Sequence, residues 1–201
     1  MKIRQGFISN SSSSSFILGF DKKPKSTDEV KKLFFAGMNH VSNVCYYGDN
    51  NEQPTFGTGN MAVTIFDDLQ RAEPLTEDQI LEEIRNGYFE DAPEFDYGDY
   101  DKVYAFERDY KERTGKDIRD NPKSKEYKIW NKMFNEIHKR RDEEWDEAAK
   151  QFWKNRKKDF KGKQVFVLSY SDNDSDYHAT LEHGGVLDGN DKVACIKINH
   201  H

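Results

Sequence analysis

Apolar residues in this chain fall into short continuous runs and into segments with helical spacing. The runs predict strands at residues 16–20, 41–47, 61–66, 165–168 and 193–198. Between them, apolar positions recur every three or four residues and predict helices. The pattern therefore predicts an α+β fold, with a small, mainly antiparallel sheet built from both chain ends and residues 41–66.

Capping signals mark the shorter helices. Ser26 and Thr76 each stand three residues before a Glu or Gln, which is the spacing of a capping box. Gly37 and Gly87 predict the ends of these two helices. A further short helix is predicted over residues 177–183.

A long helical hairpin is predicted over residues 102–162, inserted into a single domain of residues 1–201. Its first helix covers residues 102–110 and ends near Gly115, and Ser124 caps the second. The second helix carries an apolar stripe at steps of three and four, interrupted by one arginine. The stripe consists of Tyr127, Trp130, Phe134, Ile137, Arg141, Trp145, Ala148 and Phe152. We expect it to form core and helix–helix contacts.

The composition is that of a folded, acidic protein. The 201 residues are 34% charged and 35% apolar, with 13% aromatic residues to supply a core, and the net charge is −6. This acidity argues against nucleic-acid binding by the whole surface. Cys45 and Cys195 lie in apolar runs and are predicted to be buried thiols. Because no run reaches membrane-spanning length and no signal peptide is evident, the expected location is the cytoplasm.

Five consecutive serines occupy residues 11–15, with apolar residues on both sides. Such a tract is typical of a flexible linker, but a linker here would join nothing of domain size. Two interpretations remain open. The tract is either an ordered loop whose hydroxyls bond nearby backbone groups, or a processing, modification or anion-contact site.

Residues 4–10, the serine run and Phe16 together resemble the N-terminal signature of a group of uncharacterised proteins from bacteriophages and phage-bearing bacteria. Residues 169–174, 181–184 and 198–200 are also similar to that group. The resemblance implies a phage or prophage setting and no known activity. We therefore expect an accessory protein that binds a host or phage macromolecule, a protein or a nucleic acid, without catalysis. Its contact surface would be the hairpin or the acidic, aromatic segment 88–100.

A second hypothesis is a hydrolase that uses a divalent metal, the one cofactor that the sequence suggests. Its ligands would be Asp172, Asp174, Asp176, His178 and Glu182. His178 and Glu182 are four residues apart and would share one helix face. An EF-hand is excluded, because the sixth and twelfth positions of the loop are Tyr177 and His183. In the alternative interpretation the aspartates only shape the turn and cap the helix.

Two His-x-Ser/Thr steps resemble the active-site motifs of the 2H phosphoesterases. These steps are His40 with Ser42, and His178 with Thr180. The resemblance implies a phosphodiester or nucleotide substrate, with the histidines as general base and acid and the hydroxyls holding phosphate oxygens. In that family the histidines lie on strands, whereas His178 follows an acidic loop.

The end of the long helix is basic. A nucleic-acid contact there would use Lys154, Arg156, Lys157 and Lys158, with Trp153 as a stacking partner. Alternatively, these cations complement the helix dipole and keep the surface soluble.

Overall fold

The computed structural model describes residues 13–43, 55–94, 96–172, 174–188 and 190–200, without the side chains of Tyr97 and Asp176. The helices and strands follow one another in this order: β1 (Ser13–Phe20), α1 (Thr27–Phe34), β2 (His40–Ser42), β3 (Thr55–Gly57), α2 (Thr58–Arg71), α3 (Glu77–Arg85), α4 (Asp101–Thr114), α5 (Lys125–Arg156), β4 (Gln164–Ser171), α6 (Asp176–His183) and β5 (Ala194–His200). The chain divides into two compact units. The first falls within Met1–Glu90 and Gln151–His201, and the second is Asp91–Lys150.

The sheet of the first unit has the strand order β4-β1-β5, and both outer strands run antiparallel to β1. Phe16 lies opposite Leu168 on one side, and Ile17 lies opposite Ile196 on the other. The predicted α+β fold, with an antiparallel sheet from both chain ends, is confirmed.

Both faces of β1 are buried, which explains why its sequence is a continuous apolar run. Phe16, Leu18 and Phe20 point to one face, where they join the main core with residues of α1, α2, β4 and α6. Ile17 points to the opposite face and is fully buried there.

The predicted strand at residues 61–66 is wrong, because this segment lies inside α2. Val63, Thr64 and Ile65 are β-branched and favour a strand locally. The buried positions of α2, however, are Thr58, Met61, Ala62, Ile65 and Leu69. Their spacing of three and four residues matches one helix face that packs into the core, and tertiary packing overrides the local preference.

The strand predicted at residues 41–47 is present only in part. His40–Ser42 forms β2, which pairs with β3 in a separate two-stranded ribbon and not with the main sheet. Residues 44–47, including Cys45, lie outside the described residues.

Capping follows the predicted chemistry. The Ser26 hydroxyl accepts a hydrogen bond from the Glu29 N–H, and Thr76 and Gln79 form a complete capping box. The Ser124 hydroxyl accepts a hydrogen bond from the Tyr127 N–H at the start of α5. Gly115 adopts a left-handed conformation, with φ of 69°, after α4.

The second unit is a helical hairpin with its own small core. Val103 and Tyr110 of α4 pack with Trp130 of α5 and with Ile118 from the connection between them. The stripe predicted on α5 is confirmed within this unit, because Tyr127, Trp130, Phe134, Ile137 and Arg141 are all at least partly buried. Arg141, which interrupts the stripe, donates to the Tyr100 hydroxyl at 2.9 Å and lies over its ring. Among the described helices, none combines the length and the apolar character needed to span a bilayer.

Gly87 was predicted to end a helix, but its main role is close packing. It does not adopt a left-handed conformation, since α3 already ends at Arg85 with Asn86 as the cap. A Cβ atom at Gly87 would lie 2.6 Å from Ile198 Cγ2 and 2.7 Å from the Asn199 carbonyl oxygen. Next to it, Tyr88 forms an isolated antiparallel bridge with Asn199.

We predict that Gly87→Ala lowers the free energy of unfolding by about 1–3 kcal/mol, because the added methyl group forces the bridge to β5 apart. Gly59→Ala in α2 is the matched control. Its Cβ meets no atom within 4 Å, and alanine stabilises a helix relative to glycine. Urea denaturation of the two variants measures both effects. Equal stability of the two variants would show that the close approach has no energetic role.

Candidate functional site

The residues predicted from the 2H resemblance are not arranged as that chemistry needs. His40 and Ser42 are exposed on the β2–β3 ribbon, whereas His178 and Thr180 lie on helix α6. Two residues apart on a helix point about 200° from each other. Accordingly, Thr180 is fully buried while His178 is partly exposed. The strand-borne pair that would hold one phosphodiester is therefore not formed at His178 and Thr180.

His178 instead belongs to a shallow polar depression beside β4. Its Nδ1 lies 3.0 Å from the Ser175 Oγ, and its ring stacks on Tyr170 with centroids 5.9 Å apart. The Tyr170 hydroxyl donates to Asp68 Oδ2 at 3.2 Å. Burial, followed by the nearby Asp68 carboxylate, raises the pKa of Tyr170 well above its ordinary value. Tyr170 therefore remains a neutral donor that holds Asp68 in place.

The predicted metal ligands also diverge. Glu182 is 1% exposed and its Oε1 accepts from Ser14, whereas Asp174 is exposed and His178 bonds Ser175. In the parts of the chain that the structure describes, no group of three or more His, Cys, Asp or Glu side chains is placed to hold a metal ion. Asp172 lies in the turn that directly follows β4. The side chain of Asp176 is not among those that the structure describes. The divalent ion stays a prediction of the sequence pattern.

Trp153, the predicted stacking partner for nucleic acid, is buried in the structure. Its side chain is 7% exposed and packs on Phe160 with centroids 5.5 Å apart, and its indole N–H donates to Glu77 Oε1 at 2.9 Å. This hydrogen bond, with the charge of Lys157, lowers the pKa of Glu77. A ring held in the core by two contacts offers no face to a base.

The basic end of α5 is partly neutralised by the protein itself. Arg156 donates to the Cys195 carbonyl oxygen at 3.0 Å and pairs with Glu90 and Asp159, each at 3.3 Å. Lys157 lies 3.5 Å from Glu77. Lys154 and Lys158 are exposed. Arg156 therefore fastens β5, and the four cations do not form one free basic face.

Sequence reasoning missed a buried polar cluster at the serine end of β1. Ser13, Ser14 and Ser15 are not in a loop but begin the central strand. On one sheet face, Ser14 Oγ lies 3.1 Å from Glu182 Oε1 and 3.0 Å from Asn199 Oδ1. One hydroxyl has one proton, so both bonds form only when Asn199 presents its amide N–H₂ to Ser14.

Ser15 lies on the opposite face and joins a chain of hydrogen bonds. Its Oγ is 2.9 Å from Ser169 Oγ and 2.9 Å from His200 Nε2, while His200 Nδ1 is 3.2 Å from the Asn86 carbonyl oxygen. A carbonyl only accepts, so Nδ1 carries the proton in the neutral ring. Nε2 then accepts from Ser15, and Ser169 donates to Ser15. This resembles a nucleophile–base pair, but Ser15 is 4% exposed, and its environment suits fastening of strands better than attack on a substrate.

Glu182 has an incomplete set of partners. Its buried Oε2 has no hydrogen-bond partner among the described residues, and His183 Nε2 lies 3.6 Å away. The Glu182 carbonyl oxygen accepts from Lys197 Nζ at 2.7 Å. Ser14 is therefore the main side-chain donor to this carboxylate.

The second unit presents a different feature, which we call the hairpin groove. Its walls are apolar and come from Val103, Tyr104, Trp130 and Phe134, and its rim carries Glu107, Arg108, Lys111 and Arg119. The groove encloses about 460 Å³. Tyr104 is 50% exposed, although it stacks on Tyr100 with centroids 5.9 Å apart. An exposed aromatic beside an apolar cleft is typical of a binding surface.

We predict that Ser14→Ala lowers the free energy of unfolding by about 1–3 kcal/mol, because Glu182 loses its main donor in a buried environment. In a Glu182→Gln background the same change is expected to cost less, since a neutral amide depends less on one hydrogen bond. Urea denaturation of the four proteins gives the coupling. Additive losses would mean that Ser14 and Glu182 act independently.

Cys195 is expected to be unreactive in the folded protein. Burial, followed by the charge of Asp188, raises the pKa of its thiol to about 12, so the thiolate is scarce near neutral pH. In a Cys45→Ser background, which leaves one thiol, we predict that Ellman's reagent reacts at least about a hundredfold faster after unfolding in urea. Rapid reaction of the native protein would contradict this.

Comparison of the chain with protein-family models, with curated proteins and with solved structures found no match in any of the three.

Proposed function

We propose that this protein acts by binding another protein through the hairpin groove between α4 and α5. The observation that carries this proposal is the half-exposed ring of Tyr104 beside a cleft lined by Val103, Trp130 and Phe134. Water gains freedom when such a surface is covered, so burial of the ring by a partner is favourable.

The groove also has the rigidity that a binding surface needs. Trp130 and Phe134 stack with centroids 5.2 Å apart, and the Arg119 guanidinium lies 5.8 Å from the Trp130 ring centroid. Arg119 is itself held by Glu107 and Asp117. Side chains fixed in this way lose little conformational entropy when a partner binds.

A binding role agrees with the expectation of an accessory protein. The phage or prophage setting remains part of this proposal and rests on the N-terminal resemblance, whose residues 4–10 lie outside the described residues. The partner would then be a host or phage protein that meets this chain in the host cell.

We predict that Tyr104→Ala abolishes capture of a specific partner from a bacterial lysate, because loss of a central aromatic contact costs about 2 kcal/mol or more, roughly thirtyfold in affinity. The measurement is affinity capture with the full chain, followed by quantitative mass spectrometry. Thermal melting checks that the variant is folded.

His178→Ala is the matched control, because His178 lies in the other unit and its ring is only partly exposed. Binding should be unchanged in this variant. If His178→Ala loses the partner and Tyr104→Ala keeps it, the hairpin groove is not the contact surface and the proposal is wrong.

A further inference from the structure

We propose that the hairpin groove accepts an acidic peptide segment of the partner protein, with one apolar side chain inserted between flanking carboxylates. This inference rests on the proposed function and specifies the chemistry of the ligand. It is carried by the unequal distribution of charge around the groove.

Two cations on the rim are available to a ligand. Arg108 and Lys111 are both exposed on α4 and line the groove. The charge of Lys111 also contributes to lowering the pKa of Asp117. Arg119, by contrast, already forms ion pairs with carboxylates of its own unit. It donates to Asp117 Oδ1 at 3.0 Å and pairs with Glu107, and these contacts raise the pKa of Arg119 and lower that of Asp117. Arg108 and Lys111 therefore supply the positive charge that a ligand would meet.

This positive edge stands out against an acidic background. The whole chain carries a net charge of −6, and residues 91–150 contain 14 Lys and Arg against 17 Asp and Glu, a net charge of −3. Some other exposed cations of the hairpin are paired along its helices, such as Arg113 with Asp109 and Lys132 with Glu136. Others, such as Lys123 and Lys125, are exposed but do not line the groove. Among the charged residues that line the groove, three cations, Arg108, Lys111 and Arg119, stand against one acid, Glu107, so the rim is locally positive and suits carboxylates.

The walls of the groove determine the other half of the ligand. Val103 is 1% exposed and Trp130 is 8% exposed, so these two side chains form a recessed and largely apolar base of the groove, while the Tyr104 side chain beside them is 50% exposed. An apolar side chain of the ligand would cover the exposed Tyr104 ring and contact Val103 and Trp130. Carboxylates on either side of it would then reach Arg108 and Lys111 on the rim.

A nucleic acid fits these observations less well. Base stacking needs exposed ring faces along a continuous basic path. Here Trp130 is recessed, and the surrounding unit is net acidic, which opposes a long phosphate backbone. A short acidic peptide spans only the rim of the groove, where Arg108, Lys111 and Arg119 outnumber Glu107, so it meets less of that repulsion.

The test uses the full chain as bait for a displayed library of random twelve-residue peptides. Enriched peptides are synthesised with a fluorophore and titrated by polarisation. We expect enrichment of Asp and Glu around a Leu, Phe or Trp. For such a peptide, Arg108→Glu with Lys111→Glu should weaken binding by about tenfold or more, and Tyr104→Ala by a similar factor. The effect of the charge reversal should shrink as salt is raised from about 50 to about 500 mM.

The charge-matched control is Lys123→Glu with Lys125→Glu. Both lysines are exposed on the same unit and line no part of the groove, and binding should be unchanged in this variant. A single-stranded oligonucleotide is titrated in parallel.

The outcomes separate the two proposals. Enriched peptides that lose affinity in Tyr104→Ala but lack acidic residues, or ignore the charge reversal, overturn the acidic ligand and leave the groove as a binding surface. Peptides unaffected by Tyr104→Ala, or no enrichment at all, overturn both. Binding of the oligonucleotide that depends on Arg108 and Lys111, without acidic peptides, also overturns the inference.

Discussion

The pairing of β1 with two strands from the far end of the chain holds the first unit together. Ser15 bonds to residues that lie 154 and 185 positions later in the sequence. Closing such long loops costs conformational entropy, although this cost grows only slowly with loop length. Burial of β1 on both faces offsets it, since Phe16, Ile17 and Leu18 are all fully buried. The helices of this unit pack on a sheet that exists only when both chain ends meet.

The serine end of β1 needs hydrogen-bond partners inside the protein, which the apolar end of the strand does not need for its side chains. A central strand buried on both faces exposes little of its side chains to water, so each hydroxyl needs an internal partner. Ser14 finds Glu182 and Asn199, and Ser15 finds Ser169 and His200. A slip of β1 by one residue would exchange the two faces and leave these groups without partners. The polar cluster therefore fixes the register that apolar contacts alone would specify less sharply.

Much of this fold can be predicted from local sequence, and the exceptions have physical causes. The strands near both chain ends follow from continuous apolar runs, and the stripe of α5 follows from helical periodicity. The strand prediction for residues 61–66 failed because their β-branched side chains favour a strand locally, whereas Met61, Ile65 and Leu69 are buried on one face of a helix. Trp153 beside four cations suggested a nucleic-acid contact, but its burial and its bond to Glu77 depend on residues far away in sequence. Likewise, the hydrogen-bond partners of Ser14 and Ser15 lie far away in the sequence. The local sequence offered one sign of this buried polar cluster, which is that the serine run leads directly into an apolar strand. The hairpin groove is formed by residues of two helices, so the sequence of one helix alone does not predict its shape.

The position of β1 has a consequence for how the protein is made. During translation, the apolar residues of β1 leave the ribosome long before β4 and β5 are synthesised, so the sheet cannot close until residue 200 has emerged. In the meantime this segment exposes an unpaired strand, which is prone to aggregation. The α4–α5 hairpin depends on contacts within residues 91–150 and can fold as soon as these are available. Synthesis thus imposes an order in which the inserted unit matures first, and the nascent β1 segment would be a natural substrate for a chaperone.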